Sequence, residues 1–483
     1  MNSLNLSVLA VPPTADYPEK VLQFGTGVLL RGLPDYFIDV ANEQGLFQGR
    51  VLVVKSTSGD LGPFESQNCL YTLVVQGREK GAEVRQSRVV RAISRVLSAE
   101  TQWARVLESA QNPYLQTVIS NTTEVGICWQ EESIFAHPPA SFPGKLTAWL
   151  YARYEYFGQT GPDTVVIPTE LIVDNGRQLR ELVFRMAQHN DLGTAFLLWL
   201  EQKVCFCNSL VDRIVTGYPD EATARAWFEQ LGYSDQLLTL TEPYRLWAIE
   251  AEQKTADILT FAQSETQVVI TSDIRYYRER KLRLLNGGHT IAVCRGFLRG
   301  LNTVQECMQE EEMANFFSSV LLKEISPTLE TIPTDDLDLY AHEILERFRN
   351  PFLAHQLLDI TLQCTSKMRL RNVPTFKRYF EKYGHIPALM AEGFAYYLFF
   401  MKAEKVENGH CFGKRGISYY PIRDEAAPYF ATMWQRVKSN GLSELTQFVK
   451  EISQNERLWG EDLSQMKDWV ETVSQHLTHL LRS

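Results

Sequence analysis

The first half of the 483-residue chain alternates short, continuously apolar runs with amphipathic segments, and the second half does not. The apolar runs are rich in β-branched residues and are bounded by turn residues, which is typical of strands covered on both faces of a sheet. Strands that alternate with helices form a mainly parallel sheet with helices on both of its faces. The predicted strands are residues 20–25, 50–56, 115–120, 164–169 and 267–271.

Segments with a period near 3.6 lie between these strands and fill the chain beyond residue 280. The predicted helices are residues 33–45, 145–157, 176–190, 314–325, 336–350, 352–364, 442–452 and the C-terminal stretch from residue 466. We therefore predict a Rossmann-like α/β domain over residues 1–278 and an all-helical domain over residues 279–483. A cleft between two such domains is the expected place for a ligand.

Composition excludes several classes of protein. The formal net charge is −10 and no long basic run occurs, which argues against a nucleic-acid partner. The most apolar pieces, residues 195–200 and 395–401, are far shorter than the roughly 20 residues that span a bilayer. The N-terminal stretch has no basic lead-in, so no signal peptide is predicted. We expect a cytoplasmic protein without a membrane partner, and the pattern leaves open whether it is a monomer or a homodimer.

The eight cysteines are scattered along the chain, and only Cys205 and Cys207 are close together. Neither has a nearby His or Cys pair with the spacing of a zinc site, so no metal is predicted. Scattered cysteines in a chain of this length indicate reduced thiols that pack as small apolar groups.

A glycine-rich turn follows the first predicted strand. The segment "FGTGVLLRG" (24–32) places Gly25, Gly27 and Gly32 ahead of a helical pattern. Glycines at such a turn let the backbone approach a pyrophosphate, as in the G-x-G-x-x-G fingerprint, although here the third position is Leu30. An ordinary strand–helix turn is the alternative. The predicted cofactor-binding residues are Phe24, Gly25, Thr26, Gly27, Arg31, Asn121 and Thr122, the last two following another strand.

The choice between the two nicotinamide dinucleotides stays open at this point. The second strand ends at Lys55, where an Asp or Glu would favour NAD over NADP by binding the ribose hydroxyls. A lysine there suits a 2′-phosphate, whereas Asp60 serves NAD only if its loop folds back.

The segment "KLRLLNGGHT" (281–290) carries three polar residues at the predicted domain junction. On an α-helix Lys281, Asn286 and His289 fall within an arc of about 140°, close enough to converge on one ligand. The two glycines between the last two cost on the order of 1–2 kcal/mol against alanine. Close approach of a ligand would explain them, and a junction helix with a solvent-reaching lysine is the alternative.

The three side chains suit hydride transfer without a metal. A lysine with a lowered pKa exchanges a proton with an alcohol or a carbonyl. An asparagine amide stabilises a developing alkoxide, and a histidine holds a substrate hydroxyl.

The pattern Lys-x4-Asn-x2-His, the glycine turn, "CNSLVDRIVTGYP" (207–219), "RFRNP" (347–351) and "TSK" (365–367) resemble the mannitol dehydrogenase family of polyol-specific long-chain dehydrogenases. The resemblance covers nearly the whole chain. It implies that Lys281 is the general acid/base with Asn286 and His289 beside it. It also implies that Asp212 and Lys367 contact the substrate.

The chain departs from the family pattern in ways that bear on the substrate. Leu171 stands where an oxyanion-stabilising asparagine is expected, and Asp359 stands where an arginine is expected. The segment "PTELIVDNG" (168–176) and the motif "SNTTE" (120–124) are similar to a branch that interconverts a keto-uronate and an aldonate with NAD(H) in hexuronate catabolism. Glu170 belongs to this segment and is a further predicted substrate contact.

The resemblance therefore implies an NAD-dependent reduction of D-tagaturonate to D-altronate. The alternatives are reduction of D-fructuronate, oxidation of mannitol, or an NAD(H)-binding regulator without catalysis. A carboxylate substrate calls for a fixed cation, most naturally an arginine. The candidates are Arg213, Arg347, Arg369 and Arg371.

Overall fold

The computed structural model describes residues 2–8, 17–122 and 126–482. Residues 9–16, in the N-terminal stretch considered above for a signal peptide, and residues 123–125, at the end of the "SNTTE" motif, lie outside the described residues. The chain divides into two compact units. The first contains the chain up to Gln76 and Glu83–Ile274, and the second contains Gly77–Ala82 and the chain from Arg275 onward.

All five predicted strands are present before residue 275, and they occur with helices between them. The strands are β1 (Glu19–Phe24), β2 (Arg50–Lys55), β3 (Tyr71–Glu79), β4 (Ala82–Val90), β5 (Ile93–Ser98), β6 (Thr117–Ser120), β7 (Thr164–Pro168), β8 (Val204–Phe206), β9 (Ser209–Asp212), β10 (Val215–Gly217), β11 (Thr239–Thr241), β12 (Leu246–Glu250) and β13 (Val268–Thr271). The helices are α1 (Val28–Gly32), α2 (Pro34–Glu43), α3 (Gly62–Ser66), α4 (Ala99–Glu108), α5 (Phe142–Phe157), α6 (Asn175–His189), α7 (Thr194–Lys203), α8 (Glu221–Leu231) and α9 (Gln253–Ala256).

Six strands form a parallel sheet in the order β5-β2-β1-β6-β7-β8. From β1 the chain adds strands β2 and β5 toward one edge of the sheet, and from the adjacent strand β6 it adds β7 and β8 toward the other edge. The direction in which strands are added therefore reverses between β1 and β6. In doubly wound sheets, a crevice for ligands opens at this reversal, outside the carboxyl ends of the strands. The predicted Rossmann-like fold class is confirmed.

The sheet is buried on both faces, which explains why its strands are continuously apolar. Val21 and Ile119 belong to one apolar cluster, whereas Leu22, Phe24 and Val118 belong to the other. Successive side chains of a strand point to opposite faces, so a strand that alternates between two cores has no solvent-facing position for a polar residue.

Two smaller sheets complete the first unit and were not predicted. One has the order β10-β11-β3-β4 and the other the order β13-β12-β9. Both are mixed, since β11 pairs parallel with β3 and antiparallel with β10, and β12 does the same with β13 and β9. Five of the nine residues of β4 are exposed and five are polar, which hides a strand from a search for apolar runs.

The second unit is helical apart from one small sheet, where an all-helical domain was predicted. Its α-helices are α10 (Arg275–Arg280), α11 (Gly288–Leu298), α12 (Val304–Gln309), α13 (Glu311–Ser319), α14 (Thr334–Phe348), α15 (Leu357–Ile360), α16 (Cys364–Arg371), α17 (Val373–Tyr383), α18 (Ala388–Phe400), α19 (Ala427–Asn440), α20 (Leu445–Ser453), α21 (Glu456–Trp459) and α22 (Trp469–Arg482). It also contains two π-helices, Lys281–Gly287 and Val320–Ile325, and a three-stranded antiparallel sheet. The strands of this sheet are β14 (Lys405–Glu407), β15 (His410–Arg415) and β16 (Ser418–Pro421). None of the helices in the described part of the chain is long and apolar enough to cross a membrane.

The predicted helix over residues 352–364 is wrong, although its apolar spacing is helical. Backbone hydrogen bonds run from Val304 N to His355 O and from Leu357 N to Asn302 O, at 3.0 and 2.8 Å. These bonds hold residues before α15 in an extended conformation against another segment. Gln363, just before α16, has a φ of 51° and therefore interrupts any helix.

A buried carboxyl group in α2 links the stability of the first unit to pH. The side chain of Asp35 is fully buried and accepts a hydrogen bond from Gln23 Nε2 at 3.3 Å. Burial raises the pKa of Asp35 to about 7, although Gln23 and Arg31 favour the ionised form. The folded protein therefore binds this proton more tightly than the unfolded chain does.

We predict that the free energy of unfolding falls as pH rises from the ordinary carboxyl range to about 7. Over that interval Asp35 ionises in the unfolded chain but stays protonated in the folded chain, so ionisation stabilises only the unfolded chain. The free energy of unfolding therefore falls by about 2–3 kcal/mol between pH 5 and pH 8. Urea unfolding of the wild type and of Asp35→Asn at both pH values measures this change in the free energy of unfolding. The variant should lack this component of the pH dependence, and the exposed substitution Asp257→Asn should retain it. Equal pH dependence in wild type and Asp35→Asn would contradict the assignment.

Candidate active site

The glycine turn after β1 gives each of its glycines a different physical role. Gly25 has a φ of 125°, and a Cβ there would lie 2.9 Å from Leu30 Cδ1 and 3.1 Å from Asn121 O. A Cβ at Gly27 would meet no described atom within 4 Å, so the surface of the turn is open at that point. A Cβ at Gly32 would lie 2.7 Å from Val215 Cγ2.

These three roles are a tight turn, room for close approach, and helix-to-strand packing. They are the roles that glycines play in a dinucleotide-binding fingerprint, even though the third glycine is two positions late here. Sequence spacing alone hides this match, because the fingerprint expects its third glycine at position 30, which is a leucine, and the glycine occurs at position 32. The turn therefore fits a dinucleotide pyrophosphate.

The predicted cofactor residues divide into two groups. Thr26 is half-buried and Gly27 is exposed, so both lie at the accessible part of the turn. Phe24 is fully buried with its ring 5.2 Å from that of Phe142, which leaves its main chain for the site. Arg31 is buried, and its Nη1 donates to Leu237 O at 2.6 Å. This bond gives Arg31 a structural role inside the unit, so we leave it out of the proposed cofactor site.

Asn121 and Thr122 follow β6, next to the glycine turn, and are held by residues that follow β7. Asn121 Nδ2 donates to Thr169 O and Oγ1 at 3.1 and 3.0 Å. The carboxylate of Glu170 accepts hydrogen bonds from Ser120 Oγ, Thr122 N and Thr122 Oγ1, at 2.9 to 3.1 Å. Glu170 was predicted as a substrate contact, but its geometry makes it the residue that orders the 120–122 loop.

The end of β2 has no acidic residue in the position that selects NAD. Lys55 Nζ lies beside Gly59, where a Cβ would be 3.3 Å away. Asp60 Oδ1 accepts the Gly62 amide at 2.8 Å and so closes a local turn. Ser56 Oγ is buried without a hydrogen-bond partner among the described residues. A buried hydroxyl without a partner suits a ribose hydroxyl, so this strand end also fits a dinucleotide.

Asp212 and Arg213, at the end of β9, are both buried. The guanidinium of Arg213 donates to Gly32 O at 2.6 Å and to Glu242 O at 3.1 Å. Burial lowers the pKa of Arg213 to about 10. These bonds tie the helix after the glycine turn to the neighbouring strands. The geometry gives Arg213 a structural role, so we do not propose it as the cation for a substrate carboxylate.

In the second unit, the segment that carries the predicted catalytic residues is a π-helix and not the α-helix expected. It covers Lys281–Gly287 and passes directly into α11. Hydrogen bonds in a π-helix join residues five apart, and such turns often occur at functional sites. Residues five apart, such as Lys281 and Asn286, therefore lie about one turn apart on the same face. Both are half-buried.

His289 lies in the first turn of α11 and is 7% exposed. Its ring stacks on Phe348 with centroids 4.2 Å apart, and the ring of His355 stands perpendicular to it at 5.3 Å. Burial lowers the pKa of His355, which favours a neutral ring. His355 was not predicted as a site residue. Its position just after the "RFRNP" motif is the signal that could have suggested it.

Packing within the unit accounts for the second of the two glycines before His289. A Cβ at Gly288 would lie 2.6 Å from Leu321 Cδ2 of the second π-helix. A Cβ at Gly287 would lie 3.4 Å from Asn372 Nδ2, and this amide donates to Gly287 O at 3.0 Å. Close contact with the second π-helix therefore requires a glycine at position 288, whereas the contact at Gly287 has room for a Cβ, and the expected approach of a ligand there stays a prediction.

Helix α16 brings two predicted substrate residues to the π-helix, against which it packs. Lys367 Nζ donates to Ile360 O at 2.9 Å. Arg371 Nη1 donates to Thr290 Oγ1 at 3.1 Å, and this hydroxyl donates to Asn286 O at 2.8 Å. A chain of hydrogen bonds thus connects Arg371 to one of the three catalytic candidates.

The fold and these residues define a class of protein: a dehydrogenase with a doubly wound dinucleotide-binding sheet and a separate helical unit that carries a lysine, an asparagine and a histidine. The chain belongs to the mannitol dehydrogenase family. Residues 19–261 match the mannitol dehydrogenase Rossmann domain, and residues 273–481 match the mannitol dehydrogenase C-terminal domain. The family resemblance found in the sequence is confirmed.

Relatives of known name span almost the whole chain. The altronate oxidoreductase of Halalkalibacterium halodurans is 38% identical over 470 residues, which are 96% of this chain and 91% of the relative. The altronate oxidoreductase of Yersinia enterocolitica is 36% identical over 477 residues, covering 98% and 96%.

Two solved structures have the same fold. Substrate-free D-sorbitol dehydrogenase has a TM-score of 0.79 at 20% identity, covering 99% of this chain and 97% of the other. Pseudomonas fluorescens mannitol 2-dehydrogenase, in a ternary complex with NAD and D-mannitol, has a TM-score of 0.70 at 22% identity and covers both chains fully.

We predict that Glu170→Ala weakens NADH binding by about tenfold. The substitution removes three hydrogen bonds to a carboxylate and frees the 120–122 loop beside the glycine turn, and each such bond contributes on the order of 1–3 kcal/mol when fully formed. Fluorescence titration with NADH measures the dissociation constant. The exposed substitution Glu229→Ala is the control and should bind NADH as the wild type does. Wild-type affinity in Glu170→Ala would separate this loop from the dinucleotide site.

Proposed function

We propose that this protein interconverts D-tagaturonate and D-altronate with NAD(H). The relatives named altronate oxidoreductase, at 36–38% identity over nearly the full chain, support this substrate pair. The observation that carries the chemistry is the π-helix of Lys281–Gly287, because it sets an amine and an amide on one face, with the amide three residues ahead of a buried histidine.

In the proposed reaction Lys281 exchanges the proton. During reduction its ammonium group donates a proton to the keto oxygen, and during oxidation its amine takes the proton from the hydroxyl. Asn286 donates a hydrogen bond to the same oxygen while negative charge develops on it. Since Leu171 replaces the other expected asparagine, Asn286 has this role alone. His289, fixed against Phe348, holds a neighbouring substrate hydroxyl.

The residues proposed to hold the dinucleotide are Gly25, Thr26, Gly27, Asn121 and Thr122. When bound, the nicotinamide supplies or accepts the hydride. The open surface at Gly27 and the ordered 120–122 loop support this assignment. We propose NAD and not NADP on the basis of the family branch, while Ser56 and Lys55 stand at the end of β2 where the ribose is expected.

We propose Lys367 and Arg371 as the cations for the substrate carboxylate. Both lie on α16, which packs against the π-helix, and Arg371 connects through Thr290 to Asn286. An arginine binds a carboxylate with two parallel hydrogen bonds, and a lysine adds a point charge. Asp212, which the family resemblance implies as a substrate contact, stays a prediction.

The substrate assignment is tested by following NADH absorbance with D-tagaturonate, D-fructuronate and D-fructose in parallel. We expect D-tagaturonate to have the highest kcat/KM by at least about tenfold, with an equal rate in EDTA because the proposed chemistry uses no metal. A preference for D-fructuronate would assign the other uronate, and oxidation of NADH with D-fructose alone would overturn the acid substrate. NADH binding without turnover of any of the three would indicate a regulator.

We predict that Lys281→Ala lowers kcat by at least about 100-fold while NADH affinity is retained, since a general acid acts in the chemical step. Stopped-flow measurement of a single turnover, together with an NADH titration, separates the two effects. Lys450→Ala, an exposed lysine of the same unit, is the matched control. Near-normal turnover in Lys281→Ala would show that another group handles the proton.

A further inference from the structure

A pair of cysteines in the first unit lies side by side on the edge strand of the six-stranded sheet. Cys205 is in β8, and Cys207 continues that strand through a hydrogen bond from its N–H to Val166 O at 2.9 Å. Residues two apart in a strand point to the same face. The two Sγ atoms are 3.8 Å apart, so both thiols are reduced and in contact.

Cys205 has the surroundings of a reactive thiolate. It is exposed, and its sulfur interacts with the Cys207 thiol and accepts a hydrogen bond from Thr255 Oγ1 at 3.6 Å. The hydrogen bond from Cys207, with smaller contributions from Thr255 and Lys254, lowers the pKa of Cys205 to about 6 against the opposing effects of burial and Glu252. At neutral pH this cysteine is therefore mainly the nucleophilic thiolate.

Cys207 has the complementary properties. It is 1% exposed, and its hydrogen bond to Cys205, together with burial, raises its pKa well above the ordinary value. It therefore stays protonated, and small molecules reach Cys205 before they reach Cys207. An exposed thiolate beside a protected thiol is the arrangement of a nucleophile with its resolving partner.

We propose that Cys205 and Cys207 form a peroxide-reactive dithiol that closes to a reversible disulfide. The Cys205 thiolate attacks one oxygen of a hydroperoxide, the O–O bond breaks, and a sulfenic acid and hydroxide (or alkoxide) result. Cys207 sulfur then attacks the sulfenic sulfur of Cys205, the S–O bond breaks, and the Cys207 proton leaves with the hydroxyl group as water. The two thiols lose two electrons in total, and the peroxide gains them.

The geometry also predicts that the disulfide is easily reduced. Cα atoms two residues apart in a strand are separated by about 6.4–6.8 Å, at the upper limit for a disulfide. The backbone at Cys207 has little freedom, since a Cβ on Gly176 would lie 2.4 Å from its carbonyl carbon. Asn208 is held as well, by accepting the Arg177 amide and donating to Glu250. A disulfide closed under such constraint is strained, and strained disulfides are the labile ones.

The test oxidises the full chain and then digests it with trypsin, which releases both cysteines in one peptide. Cleavage after Lys203 and Arg213 gives residues 204–213, which contain no other cysteine. Reduced protein is treated with limiting hydrogen peroxide, and the remaining thiols are then blocked with N-ethylmaleimide. The mass of the tryptic peptide is measured by mass spectrometry. We expect a peptide lighter by two hydrogens and free of the label, and dithiothreitol should restore two labelled thiols. Two labelled thiols at a peroxide dose that oxidises exposed Cys128 would overturn the proposal.

Single substitutions separate the two roles. In Cys207→Ser the sulfenic acid has no resolving partner, so dimedone should label Cys205. In Cys205→Ser, a change at an exposed position, Cys207 should remain unoxidised at the same dose. Cys128→Ser is the control and should leave the oxidation of the peptide unchanged. Absence of a dimedone adduct in Cys207→Ser, or oxidation of Cys207 in Cys205→Ser, would refute the assignment of roles.

The rate of alkylation provides an independent measure. At pH 6 we expect Cys205 to react with iodoacetamide about tenfold faster than an ordinary thiol, because its larger thiolate fraction outweighs the lower nucleophilicity of a low-pKa sulfur. In Cys207→Ala the rate at pH 6 should fall, since the hydrogen bond that stabilises the thiolate is lost. A rate at pH 6 equal to that of a free thiol would contradict the proposal.

Discussion

The parallel sheet of the first unit is covered on both faces, and this constraint determines where chemistry can take place. A strand between two apolar cores disfavours polar side chains, and Gln23 within β1 is buried with a hydrogen bond to Asp35. The polar and flexible residues proposed for chemistry in this unit lie where the strands end. Because the strands are parallel, those ends share one edge. The residues concerned are Gly25 after β1, Ser56 after β2, Asn121 after β6 and Glu170 after β7. The candidate dinucleotide site follows from this constraint.

One buried side chain connects three of the segments that meet near this edge. Asn175 Nδ2 donates to Pro168 O, Glu170 O and Ser209 O, and its Oδ1 accepts the amides of Gly176 and Ser209, all within 2.9 to 3.1 Å. The carboxamide therefore joins the end of β7 to the start of α6 and of β9. This explains why the Asn-Gly pair belongs to the motif that resembles the family, although it makes no contact proposed for the substrate. It also fixes the backbone beside Cys207, and thereby contributes to the strain expected of a disulfide there.

Sequence patterns predict the elements that are surrounded by apolar residues on all sides. They fail for segments whose conformation depends on a hydrogen-bond partner far away in the chain. Strands buried on both faces are visible as apolar runs, and β1, β2, β6 and β7 were found in this way. The apolar run of β13 was found too, although this strand is mostly half-buried and belongs to a small mixed sheet. Residues 352–356 have helical spacing but pair with residues 302–304, which periodicity does not reveal. The same limit applies to Arg31 and Arg213. An arginine that bonds buried carbonyl groups and one that faces a ligand have the same local sequence, and here the acceptors Leu237 O and Gly32 O are about 200 and 180 residues away.

The same limit of local sequence applies to the π-helix of the candidate active site. The residues Lys281, Asn286 and His289 could be selected from sequence, but their relative placement depends on which carbonyl each amide bonds. Gly288 packs on Leu321, and Asn372 donates to Gly287 O where the π-helix becomes α11. A side chain at Gly288 would push Leu321 away, and the Asn372 amide holds Gly287 O. We therefore infer that residues 33 and 85 positions further along the chain maintain the i→i+5 turn. The placement of the proposed general acid is therefore a property of the packing of the second unit, and substitutions at Leu321 or Asn372 would alter catalysis without touching the substrate.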